Sequence, residues 1–426
     1  MINRIIRNNL FYFNFEDFSH VMRCRVTLRC DGIDGSVLNS VVQRAAVRYP
    51  FFCIKIIRHG EEYEIVHNDA PIPVRSGSKP VLLGSEEAGG HLTSVSYVNQ
   101  TIIFDISHNL TDGKGLMEWI KTVVYMYLVE TTGEALASDG IRLPGEDYLP
   151  GEIEDPYDEM DLDKAEPFLP NMGQVDSFIP DDRYAVSGER SNYVFTASEE
   201  DLMSFAGSQD GSPASVLAYF AKEMLRELHP ESRGQTLVCG IPHSFRDIAR
   251  GEANYHPQTV ELHVMYDDRM NAMAMDRQLT CTRGTIILQA DPDNVRYLIR
   301  QHAEFAASLD EAAAIDERRQ IFRQGLQVII NNPETLAVSY IGRIAWGSIE
   351  EYIEILSIES AVISAPVMFA FVPLNGRFMI TMVLDRTADV YVRTLVRLLN
   401  DHGIRSEYLY SFKQELCKVY MSEGTT

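Results

Sequence analysis

A mixed α/β fold built in two halves is what this sequence predicts, and three observations predict it. The chain has 426 residues, more than the roughly 100–200 that one hydrophobic core usually serves. Alternating apolar runs are interleaved with helix-spaced ones both before residue 144 and after residue 183, with no short-period repeat. Between them, from Pro144 to Arg183, acidic residues and prolines crowd a stretch with little that can pack, the composition of a solvated linker or, alternatively, of an interaction segment.

The first half opens with a strand over Met22–Cys30, where Cys24, Val26, Leu28 and Cys30 share one face and Arg23, Arg25, Thr27 and Arg29 the other. A helix follows from Ser36 to Arg48, with Val37, Leu38, Val41, Val42, Ala45 and Ala46 at helical spacing and Pro50 as its stop. Phe51–Ile57 and Tyr63–Val66 read as a hairpin about His59-Gly60-Glu61. Leu92–Val98 and Thr101–Ile106 read as a second, turning at Asn99-Gln100. Ser107 to Gly113 lies at the end of that hairpin, just before an apolar helix from Leu116 to Val129.

The second half predicts a strand over Tyr193–Thr196 and a helix to Leu228 that Ser212 caps and Pro213 opens. Strands follow over Gln235–Ile241, stopping before Pro242, and over the alternating Thr259–Met265. Two long helices span Asp293–Leu309 and Ala312–Ile330, the second ended by Pro333. Leu336–Ile341 is a short strand. Val367–Val372 and Arg377–Leu384 pair about Leu374-Asn375-Gly376, since Asn-Gly suits a tight turn, and a last helix runs from Val390 to Leu399.

Composition bounds the function. With 45% hydrophobic and 23% charged residues the chain is of ordinary globular type. Its formal charge of −23 repels a phosphate backbone, so nucleic acid is a poor partner, although local Arg or Lys can still hold an anionic co-substrate. Cys24, Cys30, Cys53, Cys239, Cys281 and Cys417 form no CxxC pair or dense framework, which predicts free thiols in a reducing, cytoplasmic setting. Met1 to Arg7 does not read as a signal peptide, and no apolar run approaches the roughly 20 residues of a membrane span. His243, His256 and His263 lack metal-ligand spacing, so no metal is expected. No GxxxxGK[ST], GxGxxG or GxSxG pattern occurs in its proper context.

The stretch Ser107-His108-Asn109-Leu110-Thr111-Asp112-Gly113 carries the chemistry. Imidazole is the side chain suited to take a proton near neutral pH, and such a base contributes roughly 10²–10⁴-fold. Asp112, four residues on, can hold the loop by pairing with an Arg from elsewhere, a structural role in which it transfers no proton. Gly113 permits close backbone approach, or a positive φ where a Cβ would clash. Alone, HxxxDG recurs by chance and a His beside a hairpin is more often a satisfied polar residue, so the setting must carry the assignment.

That setting resembles the superfamily of chloramphenicol acetyltransferase, plant BAHD acyltransferases, alcohol acetyltransferases and nonribosomal-peptide condensation domains. Val42-Gln43-Arg44-Ala45-Ala46-Val47-Arg48-Tyr49-Pro50 is similar to its "AL…L..RHP.LR" segment, and Phe104 to Gly113 to its active-site strand and motif. Ile241-Pro242-His243-Ser244-Phe245-Arg246 resembles the "vPVnLR" strand end, and Val338-Ser339-Tyr340-Ile341-Gly342 the "SNxG" or "SYxG" strand. The order is kept across both halves. Two departures matter: Ser107 stands where condensation domains usually carry a second His, and the BAHD "DFGWG" motif is absent, Ala345-Trp346-Gly347 only loosely echoing its end.

The resemblance implies two chloramphenicol-acetyltransferase-like domains, residues 1–143 and 184–426 joined by 144–183, forming a pseudo-dimer within a monomer around a central tunnel. It implies an O- or N-acyltransferase in which His108 is the general base and Arg246 the partner of Asp112. Ser339 and Tyr340 become candidate oxyanion donors and His243 a candidate tunnel residue. The donor is acyl-CoA or an acyl-phosphopantetheine carrier, no resident cofactor is needed, and the acceptor is a small molecule. A non-catalytic ligand-binding relative and a carrier-protein-dependent condensation enzyme are the alternatives.

Overall fold

The computed structural model describes residues 4–12, 20–60, 62–157, 160–162, 175–249, 251–331, 333–360, 365–415, 419 and 422–423. Cys417 and parts of the acidic stretch, including Asp163 and Glu166, lie outside them. Cys24, Cys30, Cys53, Cys239 and Cys281 are free thiols.

The first half contains α1 (Arg4–Tyr12), β1 (Val21–Leu28), α2 (Gly35–Arg48), β2 (Ile54–His59), β3 (Glu62–His67), β4 (Val74–Ser76), β5 (Thr93–Val98), β6 (Thr101–Ser107) and α3 (Gly113–Thr132). Later come β7 (Ser191–Ser198), α4 (Glu199–Ser208), α5 (Pro213–Leu228), β8 (Leu237–Ser244), β9 (Thr259–Tyr266), α6 (Asp268–Asn271), α7 (Met275–Gln289), α8 (Pro292–Glu311) and α9 (Ile315–Asn331). The last segment holds β10 (Leu336–Tyr340), β11 (Ile353–Ser360), β12 (Val367–Leu374), β13 (Arg377–Leu384), α10 (Asp389–Asp401), β14 (Ser406–Lys413) and β15 (Ser422–Glu423). Among the described residues, no helix is long and apolar enough to cross a membrane.

Two large mixed sheets organise the chain. One has the order β11-β1-β6-β5-β4, the other β14-β7-β13-β12-β10-β8-β9, and a small sheet joins β15, β2 and β3. The apolar faces of β1 and β6 are covered by α2 and α3, where buried Trp119 meets Phe104 edge-on at 5.6 Å and Phe52 at 5.9 Å. Full burial of a large apolar side chain contributes about 1.5–3 kcal/mol. A second core lies between α5, α10 and one face of the seven-stranded sheet.

Three details differ from the sequence reading. The charged face of β1 is covered: Arg23 is wholly buried and forks onto Asp105 at 2.6 and 2.9 Å, while Arg25 meets buried Glu359 of β11 at 2.5 Å. The strand at Gln235–Ile241 runs on through Pro242, which faces Glu261 of β9. β10 pairs with β8 only at Cys239 and Gly240, so the amide that proline lacks has no ladder partner to lose. In the acidic stretch, Glu152 is fully buried, bonded to Arg48 at 2.6 and 3.0 Å and to the Tyr255 hydroxyl. The Asn375-Gly376 turn forms as its chemistry requires, with φ of 49° and 71°.

Candidate active site

The strand β6 ends at Ser107 and α3 begins at Gly113, so His108 to Asp112 form the junction between them. The His108 amide donates to the His20 carbonyl at 2.9 Å, fixing the loop to the residue that leads into β1. The two imidazoles stack with centroids 4.9 Å apart and planes within 6°. His20 Nδ1 lies 2.6 Å from Asn109 Oδ1. Burial, and then the neighbouring His108 charge, push the pKa of His20 down to about 3 against the raising effect of that hydrogen bond, so His20 is neutral at physiological pH. Nothing local in the sequence singles out His20, because it reaches the motif only through strand pairing.

Asp112 is the N-cap of α3 and accepts from the Gly115 amide at 3.0 Å. Arg246 grips the same carboxylate with both terminal nitrogens, NH1 to Oδ2 at 2.7 Å and NH2 to Oδ1 at 2.8 Å, and the Gln258 amide adds a bond at 3.0 Å. Burial alone raises this carboxyl's pKa. The Arg246 charge and the donated hydrogen bonds outweigh it, so Asp112 stays below its ordinary value and ionised. Arg246 also donates to the carbonyls of Asn254 and His256, and Thr111 donates to the Tyr255 carbonyl at 2.7 Å. The loop bearing His108 is thus clamped from the second half of the chain.

The glycine that the clamp cannot do without is Gly115. A Cβ there would overlap Thr111 Oγ1 and lie 2.5 Å from the Tyr255 carbonyl oxygen. At Gly113 it would meet the Ile341 side chain at an ordinary 3.4–3.5 Å, and its φ is not in the left-handed region.

His108 opens onto a cavity of about 380 Å³ between the two large sheets. His20, Met22, Asn109 and Gly113 line it from the first half, and Ser339, Ala337, Met368, Ala370, Pro242, Glu261 and Glu334 from the second. Strand alternation explains the second wall. Leu336, Val338, Phe369, Phe371, Val260 and Leu262 point into the helix-covered core, while their neighbours face the cavity. Ser339 therefore lies in the wall, whereas Tyr340 points away and stacks on Phe371 at 4.7 Å. His243 is not among the lining residues; burial holds its pKa below the ordinary value. His256 sits edge-on to Phe51, and His263 Nε2 contacts Glu334 Oε1 at 2.8 Å.

Asn109, Glu261 and Glu334 are cavity residues that the motif reading missed. Asn109 is 3% exposed and its Nδ2 has no hydrogen-bond partner among the described residues. The signal for Glu261 was its place opposite Val260 and Leu262 in an alternating strand, where a carboxylate would otherwise be taken as solvent-facing.

No sequence-family model and no curated protein matches the chain. Solved structures do. F. graminearum TRI101 complexed with coenzyme A and T-2 mycotoxin superposes with a TM-score of 0.59 at 11% identity, covering 95% of this chain and 98% of that one. Polyketide synthase associated protein 5 from Mycobacterium tuberculosis gives 0.58 at 10% identity, with 93% and 96% covered. VibH, a nonribosomal peptide synthetase condensation enzyme, gives 0.53 at 10% identity, with 95% and 96% covered. At these identities the likeness is one of fold. The chain has a two-domain mixed α/β fold like that of TRI101, polyketide synthase associated protein 5 and the condensation enzyme VibH.

Proposed function

We propose that this chain is an acyltransferase that moves an acyl group from a thioester, acyl-CoA in the first instance, to a hydroxyl or amine. The observation that carries this reading is the placement of His108, on a loop clamped by Asp112 and Arg246, in one cavity with Ser339 from the opposite sheet. A His108 ring nitrogen takes the proton of the acceptor O–H or N–H as that atom bonds to the thioester carbonyl carbon. Ser339, with Asn109 Nδ2, donates to the oxyanion of the tetrahedral intermediate. The C–S bond then breaks, the carbonyl reforms, and the imidazolium returns its proton to the leaving thiolate. Asp112 stays ionised throughout as the counter-charge of Arg246. The complex of TRI101 with coenzyme A supports CoA as the donor to try first.

Thiol release from acetyl-CoA and longer acyl-CoAs, assayed with a panel of alcohols and amines, tests the reading. His108→Ala is expected to lower the acceptor-dependent rate by roughly 10²-fold or more. Equal release by wild type and variant across the panel sinks the catalytic assignment and leaves a binding protein. Activity confined to a pantetheine-loaded carrier replaces CoA with a carrier as donor.

A further inference from the structure

We propose that the cavity takes an acceptor bearing a cationic nitrogen, a diamine or amino alcohol, whose ammonium seats between Glu261 and Glu334; this rests on the acyl-transfer reading of His108. Both carboxyl side chains belong to the second-half wall of the His108 cavity. Glu261 comes from β9 and Glu334 from the turn into β10. A Cβ built on Gly240 would collide with Glu334 Oε2 and lie 2.5 Å from Glu261 Oε1, so the two oxygens converge over the backbone of β8. One donor group can therefore touch both.

A carboxyl pair beside a cavity is costly to keep without a compensating cation. Glu261 Oε1 is shut from solvent and has no hydrogen-bond partner among the described residues. His263 Nε2 contacts Glu334 Oε1, at 2.8 Å, and not that atom. Burial first, and Glu334 second, raise the pKa of Glu261 above its ordinary value, the direction expected of a carboxyl set beside another without a cation between them. An ammonium between the two carboxyls supplies positive charge and N–H donors to both. A volume of about 380 Å³ suits a small molecule, and 61 acidic against 38 basic residues draw cations toward the surface.

The test compares 1,4-diaminobutane with its isostere 1,4-butanediol, by calorimetric titration into wild type and into His108→Ala, which binds without turnover. The diamine is expected to bind both proteins at least about tenfold more tightly than the diol, since hydrogen bonds to charged groups are the stronger class. Glu261→Gln and Glu334→Gln are each expected to erase most of that preference. Equal affinity for diamine and diol in wild type, a comparison that needs no variant, overturns the proposal. So does an undiminished preference in folded Glu261→Gln. Diamine binding without thiol release from any acyl-CoA or pantetheine-loaded carrier upholds the cation site and rejects the acyltransferase reading. Thiol release with alcohols and no diamine binding does the reverse.

Discussion

At the scale of single residues, the site is held by groups whose protonation is set by the fold. Asp112 is ionised, and its pKa lies below the ordinary value of 3.8. The stability it contributes is complete above that value and is lost as pH falls through the depressed folded one. His20 acts earlier. Unfolded, it protonates below about 6.5; folded, it stays neutral down to about 3. Between those values the unfolded state binds the extra proton, so stability declines as pH falls through the window. Glu261 has the opposite sign: its raised pKa makes the folded state the better proton binder above 4.5, so its contribution weakens as pH rises. Urea unfolding of wild type and His20→Gln from pH 8 to pH 4 should give curves that differ most in slope below pH 6.5, the variant being the flatter. Parallel curves would show that burial of His20 carries no proton linkage. The contact of Asp112 with Arg246 was legible in the sequence because a motif and a strand end mark the two residues. His20 and Asn109 were not, since they meet through a contact between residues 89 positions apart that no local pattern records.

At the scale of elements, the N-terminus of α3 decides whether His108 is held still. Gly115→Ala pushes a methyl into Thr111 and the Tyr255 carbonyl, both part of the clamp. Overpacking of this kind costs about 1–3 kcal/mol, and kcat should fall with it as the loop shifts. Gly113→Ala meets only ordinary contact with Ile341 and should change stability by no more than about 1 kcal/mol, the size of the helix-propensity difference. Thermal unfolding with kcat for both variants checks this, and a reversed order would relocate the tight spot to Gly113. The hairpins and amphipathic helices were readable because turn chemistry and periodicity agree. Strand β11 was not. From Leu356 to Ser360 every residue is buried, Ser357, Glu359 and Ser360 included, so the apolar and polar faces do not alternate. Glu359 instead answers Arg25 of β1 and the Asn192 amide of β7. The acidic stretch misled for a related reason: composition cannot tell a solvated Glu from Glu152, whose partner Arg48 lies 104 positions upstream.

At the scale of the whole molecule, the halves are interleaved rather than abutted. The first sheet contains β11, contributed by residues 353–360, and Arg246 reaches back to Asp112. A chain ending before Ile353 therefore leaves β1 as an open edge with Arg25 facing no Glu359, and it is expected to be recovered chiefly in aggregates. Soluble, cooperatively unfolding material from a chain ending at residue 350 would show that the first sheet closes without its borrowed strand.

The borrowed strand also has a consequence in time. On a ribosome adding roughly 5–20 residues per second, β1 is synthesised some tens of seconds before β11 exists to pair with it. Through that interval the nascent first sheet offers an unpaired edge to whatever surrounds it, including its neighbours on the same message. Production of this protein should therefore depend on holdase chaperones and on slow synthesis at low temperature more than its finished stability would suggest.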